Sequence, residues 1–423
     1  MKKKRVLWIT LGLPTVILLT VLAFVLYYLM ILKNTLKDIT TVEGTEIVLA
    51  VYVRQEDEAA SVADTAGYTY GVSWNDTDRD ITETLLNRLE ELLENPPAVT
   101  EFPDVFALAD GLRNESIGAL ILNEAYKDTL AETEGFEWTQ DGLRKLESFS
   151  FKQEEEIQEK PEVPASVPET VMLYISGIDT YGGLSARSRS DVNILVAANT
   201  KTKEILMVAT PRDFYVDFAV TKGQKDKLTH AGIYGVGASI DALQRLYSID
   251  IPYYLRINFS GFIDVIDALG GVDVYSDYDF SLKDIKDYHK GYNRLTGIEA
   301  LAFARERYSF PQGDYQRAKN QMEVIKAVIK ACTSPSVLKN FRSVMNAVGS
   351  SFETNMPEEQ IMDLVKMQLA EKQDWNIRTF TTEGTGAYKP TYSMPGRNLS
   401  VILPNAESVE KAKNLLFEIL AAA

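Results

Sequence analysis

Two apolar segments of this 423-residue chain read as neighbouring strands of a hairpin, and the charged residues that flank them are of types that do chemistry. Val192–Ala198 and Glu204–Ala209 have strand-like composition and are joined by a short polar turn. A turn centred near Lys201 places Asp191 opposite Pro211. The residues just outside the hairpin therefore meet at one end of a sheet.

This register gathers charges from two distant stretches of the chain, namely Arg187, Arg189, Asp191, Arg212 and Asp213. Asp179 leaves the preceding strand, Val171–Ser176, through Gly177 and joins them if that strand neighbours the hairpin. Carboxylates among arginines suit Mg²⁺, which takes a few carboxylate oxygens together with water and phosphate oxygens. Surface ion pairing is the alternative that the spacing leaves open.

A second group of charged and polar residues lies between Arg305 and Gln321. Arg305 and Arg307 would point to different sides of a helix but share one face of an extended segment, where they can grip one ligand. Asp314 is predicted to cap the next helix, which puts Arg317 into its first turn. A cation there opposes the helix dipole at a cost of about 0.3 to 1 kcal/mol, which indicates a functional use. Helix N-termini bind phosphate, and Arg317 and Gln321 lie one turn apart, although arginines near helix ends are often simply solvated.

The N-terminal segment predicts a membrane anchor. Residues 2–5 are basic, and the uncharged run Val6–Leu32 exceeds the roughly 20 residues that span a bilayer. A cleaved signal peptide is the alternative, but its apolar region is shorter and ends in small residues. The basic flank predicts a cytoplasmic N-terminus, so everything after Lys33 is expected to be extracellular, in a single-pass protein of the cell membrane.

The rest of the chain is predicted to be α/β throughout. We expect a basic stub and transmembrane helix at residues 1–38, a small α/β accessory domain at 39–153, a Glu/Pro-rich linker at 154–170 and a larger α/β domain at 171–423. The accessory domain shows no cluster of catalytic-looking residues, so it is interpreted as a spacer. The larger domain is expected to carry a mixed sheet flanked by helices.

Composition excludes several classes of function. The formal net charge of -16 argues against nucleic acid as a partner, since binding it requires basic surface. The single cysteine, Cys332, excludes an internal disulfide and a cysteine-based metal site, and its apolar helical context predicts a buried thiol. No nucleophile elbow, Walker loop or His-Glu-x-x-His motif is present, and His230 is predicted to pack or hydrogen-bond locally.

From about Val171 to the C-terminus, the chain carries several short motifs in a fixed order. They are Gly177-Ile178-Asp179, Arg189-Ser190-Asp191, Pro211-Arg212-Asp213, Lys227-Leu228-Thr229-His230-Ala231, Asn258-Phe259 with Gly270-Gly271-Val272, Arg305-Glu306-Arg307, and Asp314 through Arg317 to Gln321. In this order they resemble the signature of the LytR-CpsA-Psr (LCP) family of cell-wall glycopolymer transferases. The region Glu43–Gln153 also resembles the accessory domain of capsule-associated members.

The resemblance implies a ligand, a metal and a reaction. A polyprenyl-pyrophosphate-linked glycan would place its tail in an apolar tunnel and its head among arginines, and the glycopolymer, such as capsule or teichoic acid, would pass to peptidoglycan. Mg²⁺ would be held by Asp179 and Asp191. The pyrophosphate would be bound by Arg189, Arg212, Arg305, Arg307, Arg317 and Gln321, with Arg212, Arg305 and Arg307 acting in catalysis and Asp213 or Asp314 as base.

Two other functions fit the same residues. A non-catalytic regulatory membrane protein could sequester the polyprenyl carrier with the same tunnel and arginines. A pyrophosphatase would differ only in using water as the acceptor. The sequence does not decide among these three.

Overall fold

The computed structural model describes residues 27–40, 45–73, 79–153, 168–178, 184, 186–334 and 340–421. A helix, α1, at residues 27–40 precedes an N-terminal unit (residues 45–153) and a C-terminal unit (residues 168–421). Most of the predicted membrane span, Val6–Leu32, falls outside the described residues, as does most of the predicted linker. None of the described helices is long and apolar enough to cross a bilayer.

The N-terminal unit is built on a five-stranded mixed sheet in the order β3-β2-β4-β1-β5. Its strands are β1 (Thr45–Arg54), β2 (Thr69–Ser73), β3 (Ala98–Phe102), β4 (Ala119–Asn123) and β5 (Leu143–Gln153). Its helices are α2 (Arg79–Leu93), α3 (Val105–Arg113), α4 (Lys127–Ala131) and α5 (Thr139–Gly142). The apolar run of β1 is almost wholly buried, because both faces of the sheet are covered.

The C-terminal unit contains the longer series of elements. Its strands are β6 (Thr170–Ile178), β7 (Ser190–Asn199), β8 (Glu204–Ala209), β9 (Tyr215–Val216), β10 (Asp226–Lys227), β11 (Tyr253–Ile257), β12 (Val272–Ser276), β13 (Phe280–Leu282), β14 (Lys286–Tyr288), β15 (Gly291–Leu295), β16 (Phe352–Thr354), β17 (Asn376–Thr381), β18 (Gly384–Pro390) and β19 (Asn398–Pro404). Its helices are α6 (Leu228–Ala231), α7 (Val236–Tyr247), α8 (Phe259–Ala268), α9 (Gly297–Arg305), α10 (Asp314–Thr333), α11 (Phe341–Ser351), α12 (Glu358–Glu371) and α13 (Ala406–Ala421).

The central sheet of the C-terminal unit has six strands in the order β16-β11-β6-β7-β8-β17. It is mixed, as predicted, because β11 runs parallel to β6 and β17 parallel to β8 while the other neighbours are antiparallel. The predicted hairpin of β7 and β8 is confirmed, and β6 is its neighbour. Its register differs by one residue from the prediction, since Asn199 pairs with Glu204 and Ile194 with Ala209.

The two faces of this sheet pack against different helices. On one face, Leu195 and Val208 belong to the same core as Leu243 of α7 and Leu416 of α13. On the other face, Ile194 and Met207 pack with Met322 of α10. This alternation follows from the two-residue repeat of a strand.

The two units share one apolar core. Phe106 and Leu130 of the N-terminal unit are in the same buried cluster as Met394 and Leu399 of the C-terminal unit. The guanidinium of Arg397 lies 4.5 Å from the centre of the Phe136 ring, a cation–π contact between the units. The N-terminal unit is therefore packed firmly against the C-terminal unit.

The end of α1 also packs on the C-terminal unit. Its Leu32 and Leu36 are buried against Phe341 and Met345 of α11, a helix that the sequence analysis did not predict. Cys332, predicted to be buried, is exposed near the end of α10, so the apolar helical context was misleading there.

Candidate functional site

An apolar cavity of about 810 Å³ lies between the six-stranded sheet and helices α8, α9 and α10. Side chains from both the sheet and the helices form its wall, including Leu173, Ile175, Val196, Leu255, Phe262, Leu301, Ile325 and Ile329. The polar residues on the wall come largely from three places: the edge of the sheet where β8 ends and β7 begins, the end of α9, and the start of α10. The cavity therefore suits an amphiphile with a long apolar part and a charged head.

Four arginines line the cavity and are referred to here as the arginine cluster: Arg212, Arg305, Arg307 and Arg317. Gln321 lines the same cavity. Burial and the nearby guanidinium of Arg212 lower the pKa of Arg317 from its ordinary value. Arg212 and Arg317 are thus close enough to repel each other, and an anion in the cavity would reduce that repulsion.

Arg212 and Asp191 form the best-defined ion pair at the cavity. Arg212 Nη1 donates to Asp191 Oδ2 at 2.8 Å, and Thr229 Oγ1 donates to Asp191 Oδ1 at 3.0 Å. Burial raises the pKa of Asp191, but the guanidiniums of Arg212 and Arg189 outweigh burial and hold it well below its usual range. Asp191 is therefore ionised at neutral pH and orients Arg212 toward the cavity. The corrected register explains the contact, because it brings Asp191 level with Arg212 instead of Pro211.

Glu132 of the N-terminal unit also lines the cavity, and the sequence analysis missed it. Its Oε2 accepts from Arg189 Nη1 at 3.0 Å and from Arg212 Nη2 at 3.2 Å. The accessory domain was predicted to be a spacer without site residues, and that interpretation does not account for this contact. No local signal marks Glu132, because its partners lie more than 50 residues away in sequence.

Arg305 and Arg307 both line the cavity, but Arg305 belongs to a helix and Arg307 follows a residue with extended backbone. Arg305 is the last residue of α9, so the expectation that it lies in an extended segment is wrong. The backbone becomes extended at Glu306, and this turn brings Arg307 to the same cavity. The Arg305 guanidinium lies 4.4 Å from the centre of the Phe259 ring, which fixes its position by stacking.

The helix that follows carries the remaining cations. Gly313, not Asp314, is the residue before α10, and Asp314 is its first residue. The Asp314 carboxylate lies 3.3 Å from Arg317 and 3.8 Å from Arg307. Asp314 therefore holds the two arginines near one another, and Arg317 and Gln321 lie one turn apart on the cavity side of α10.

Four of the predicted residues within the described ranges are not on the cavity wall, and one of them is Asp314, which contacts Arg307 and Arg317. Arg189 is almost fully buried behind it, where it contacts Glu132. Asp213 pairs with Lys227 at 3.1 Å and is not among the lining residues. Arg187 reaches the N-terminal unit instead, with its Nε 3.1 Å from the hydroxyl of Thr45.

Two of the motif residues have structural roles. Asn258 caps α8 by accepting from the backbone N–H of Gly261 at 2.8 Å, which places Phe259 beneath Arg305. His230 Nδ1 lies 2.6 Å from Asp226 and 2.8 Å from the Ser393 hydroxyl, all buried, so the prediction of local hydrogen bonding is confirmed.

Only one of the two predicted metal ligands can be placed. Asp179 lies outside the described residues, directly after Ile178, which pairs with Ser190. Within the described ranges, no group of three or more His, Cys, Asp or Glu residues could hold a metal ion. Asp191 itself offers two ionised oxygens, and each keeps a lone pair beyond its present hydrogen bond. Asp191 therefore offers the type of oxygen ligand that a hard cation such as Mg²⁺ prefers.

Together, the fold and site define an α/β protein with an amphiphile-sized apolar cavity and a cationic mouth. The chain belongs to the LytR_cpsA_psr family, whose sequence profile matches residues 140–415. It is 37% identical over 217 residues to the polyisoprenyl-teichoic acid–peptidoglycan teichoic acid transferase TagU of Bacillus cereus, covering 51% of this chain and 70% of that protein. The TagU of Enterococcus faecalis is 31% identical over 235 residues, which cover 55% of this chain and 76% of that one.

The fold is also similar to solved structures. The crystal structure of B. subtilis TagV matches with a TM-score of 0.50 and 28% identity, covering 60% of this chain and 98% of that one. The family assignment made from the motifs is thereby confirmed by independent comparisons. The roles of the individual site residues stay predictions.

Proposed function

We propose that the chain transfers a glycopolymer from a polyprenyl-pyrophosphate carrier to peptidoglycan. The observation that carries this proposal is the union of an apolar cavity of about 810 Å³ with the arginine cluster on its wall. A polyprenyl tail matches the apolar wall, and a pyrophosphate matches four guanidiniums. The names of the TagU relatives, which specify a polyisoprenyl carrier, teichoic acid and peptidoglycan, support the same assignment.

The chemistry is a phosphoryl transfer that the residues of the cavity assist by position and charge. The acceptor hydroxyl of peptidoglycan attacks the phosphorus nearest the glycan, forming a new P–O bond while the bridging P–O bond breaks. Polyprenyl phosphate leaves and takes up the proton that the hydroxyl loses. Arg212, Arg307 and Arg317 stabilise the charge on the transferring and leaving phosphates.

Neither predicted base is well suited to remove that proton. Asp213 is paired with Lys227, and Asp314 lies between Arg307 and Arg317. Both carboxylates are therefore already engaged with cations. A loose transition state for phosphoryl transfer places little demand on a base, so the reaction does not require one at these positions.

We include Mg²⁺ in the proposal, with Asp191 and Asp179 as its protein ligands. Support comes from the ionised Asp191 carboxylate beside the arginine cluster and from the match of the family motif at Asp179. When bound, Mg²⁺ would neutralise charge on the phosphate oxygens. Asp191 meanwhile orients Arg212 through the 2.8 Å hydrogen bond.

We further propose a single membrane anchor with the two units outside the cell. The support is the basic residues 2–5 followed by the apolar run Val6–Leu32. This placement agrees with a donor and an acceptor that are both extracellular, and with a reaction driven by the pyrophosphate bond itself.

One assay tests the function against its two alternatives. The purified full-length chain is incubated with a synthetic polyprenyl-pyrophosphate-linked glycan and peptidoglycan fragments, and both products are measured. Glycan attached to peptidoglycan, with equimolar polyprenyl phosphate, is the expected result. Polyprenyl phosphate without attachment would identify a pyrophosphatase, and donor binding without either product would identify a regulatory carrier-binding protein.

A further inference from the structure

We propose that Glu132 is a positioning residue, supplied by the N-terminal unit, that holds Arg212 ready for a pyrophosphate head group. The inference rests on the proposed function, because it assigns Arg212 to phosphate binding. It gives the N-terminal unit a direct part in the site, in place of the spacer role that its sequence indicates.

The contacts of Arg212 are the first support. Asp191 accepts from its Nη1 at 2.8 Å and Glu132 from its Nη2 at 3.2 Å, so carboxylates hold both terminal nitrogens of the guanidinium. A guanidinium has five N–H donors in one plane, and two bonds at its ends fix that plane. Three donors are not used by these two bonds.

One of those donors, the Nε–H of Arg212, lacks a hydrogen-bond acceptor among the described residues. Arg212 is 7% exposed, and its buried Nε makes no hydrogen bond within the described part of the chain. A buried N–H without an acceptor is costly, and the two carboxylates hold Arg212 in place against that cost. The donors left for a phosphate oxygen are therefore the second N–H groups of Nη1 and Nη2.

Glu132 is well placed to act through Arg212 without filling the cavity. The same Oε2 that contacts Arg212 also accepts from Arg189, which lies behind the cavity wall. Glu132 thus bridges two arginines that would otherwise repel each other. Its side chain is 42% exposed, so the fold does not depend on its burial.

The backbone around Glu132 is held in place by a hydrogen bond and by buried neighbours. Glu132 follows the last residue of α4, and its N–H bonds to the Asp128 carbonyl at 2.9 Å. Leu130 and Phe136 on either side are buried in the core that both units share. A movement of the N-terminal unit relative to the C-terminal unit would therefore move Glu132 and release Arg212.

The test compares Glu132→Gln with Glu134→Gln in the full-length chain in detergent. Glu134 is exposed two residues away, outside the cavity wall, so the control makes the same charge change in the same loop. Binding of inorganic pyrophosphate and of a synthetic polyprenyl pyrophosphate is measured by calorimetry. We expect Glu132→Gln to weaken both by roughly tenfold, as for residues that orient a ligand-binding side chain, and Glu134→Gln to leave both unchanged.

Two further variants separate positioning from a general structural role. Glu132→Asp keeps the charge, so its affinity for both probes should lie between that of wild type and that of Glu132→Gln. This ranking is expected even where Glu132→Gln lowers the melting temperature. In an Arg212→Lys background, Glu132→Gln should add little further loss, because its effect acts through Arg212.

The outcomes distinguish the inference from the proposed function. Equal affinities of the Glu132→Gln and Glu134→Gln proteins would overturn the inference while leaving the function intact. Tighter binding by Glu132→Gln would also overturn it, since Glu132 would then compete with the phosphate. A wild-type chain that binds neither probe would overturn the proposed function, and the inference with it.

Discussion

Replacing Arg307 with lysine separates phosphate binding from a structural role, because the protein contacts of Arg307 are weak. Its Nη1 lies 3.8 Å from Asp314, beyond hydrogen-bonding distance, and 27% of its side chain is exposed. Its Nη2 donates to the hydroxyl of Tyr308 at 2.6 Å, but Tyr308 is 84% exposed. An exposed pair of this kind contributes less than about 1 kcal/mol to stability.

The expected loss of ligand affinity is larger. Lysine keeps the charge but loses the planar fork, and so at least one charge-assisted hydrogen bond to a phosphate oxygen. Such a bond contributes about 1.5 to 3 kcal/mol, which corresponds to a roughly 10- to 150-fold weaker binding of the donor. Turnover at low donor concentration should fall by at least the same factor, since the arginine also faces charge that develops in the transition state.

The assay measures donor binding, transfer and thermal unfolding side by side for Arg307→Lys and for Arg245→Lys. Arg245 on α7 is 49% exposed, pairs with Asp241 at 2.9 Å and does not line the cavity, so it controls for the chemical change alone. Arg245→Lys should match wild type in binding and transfer. If Arg307→Lys also binds and transfers like wild type, the assignment of Arg307 to the pyrophosphate is refuted.

Four further predictions address the metal, the cavity, the fold and the topology. Asp191→Ala should abolish transfer that depends on added Mg²⁺, and full wild-type activity in EDTA would count against a metal. Ala302→Trp, on the cavity wall, should weaken binding of a long polyprenyl pyrophosphate by at least about tenfold but leave inorganic pyrophosphate binding unchanged; equal effects on both probes would be inconsistent with a tail-binding cavity. Burial raises the pKa of Glu299, but hydrogen bonds from Thr296 and Lys286 outweigh it and lower the pKa. Glu299→Gln keeps the capping geometry but removes the charge in the first turn of α9, so it should destabilise the fold by about 0.3 to 1 kcal/mol at pH 7. Denaturant titrations should find this difference shrinking below about pH 4, as the wild type loses the contribution. Protease added to intact, wall-stripped cells should remove everything after Lys33, and protection of the whole chain would contradict the proposed topology.

The sequence by itself determined the family, the mixed sheet and all four arginines that line the cavity. Local signals suffice for these features: alternating apolar residues for β7 and β8, and short motifs that place Arg212 after β8 and Arg317 at the start of α10. The sequence analysis nevertheless missed helix α11.

The turn between β7 and β8 shows how a local detail escaped prediction. Four residues, 200–203, separate the paired Asn199 and Glu204, and the last of them, Lys203, adopts a left-handed conformation with φ of 58°. The side chain of Asn199 stabilises this turn by accepting from the backbone N–H groups of Lys201 and Thr202, both at 3.0 Å. The one-residue change in register is what sets Asp191 against Arg212.

Only the tertiary structure decided which charged residues meet. Arg189 and Asp213 belong to the family motifs, yet one is buried behind the cavity and the other is paired with Lys227. Glu132 has no motif at all, and it reaches Arg212 because the two units pack through one shared core. Contacts of this kind depend on how distant surfaces fit together, and the spacing of residues along the chain does not encode that fit in any local pattern.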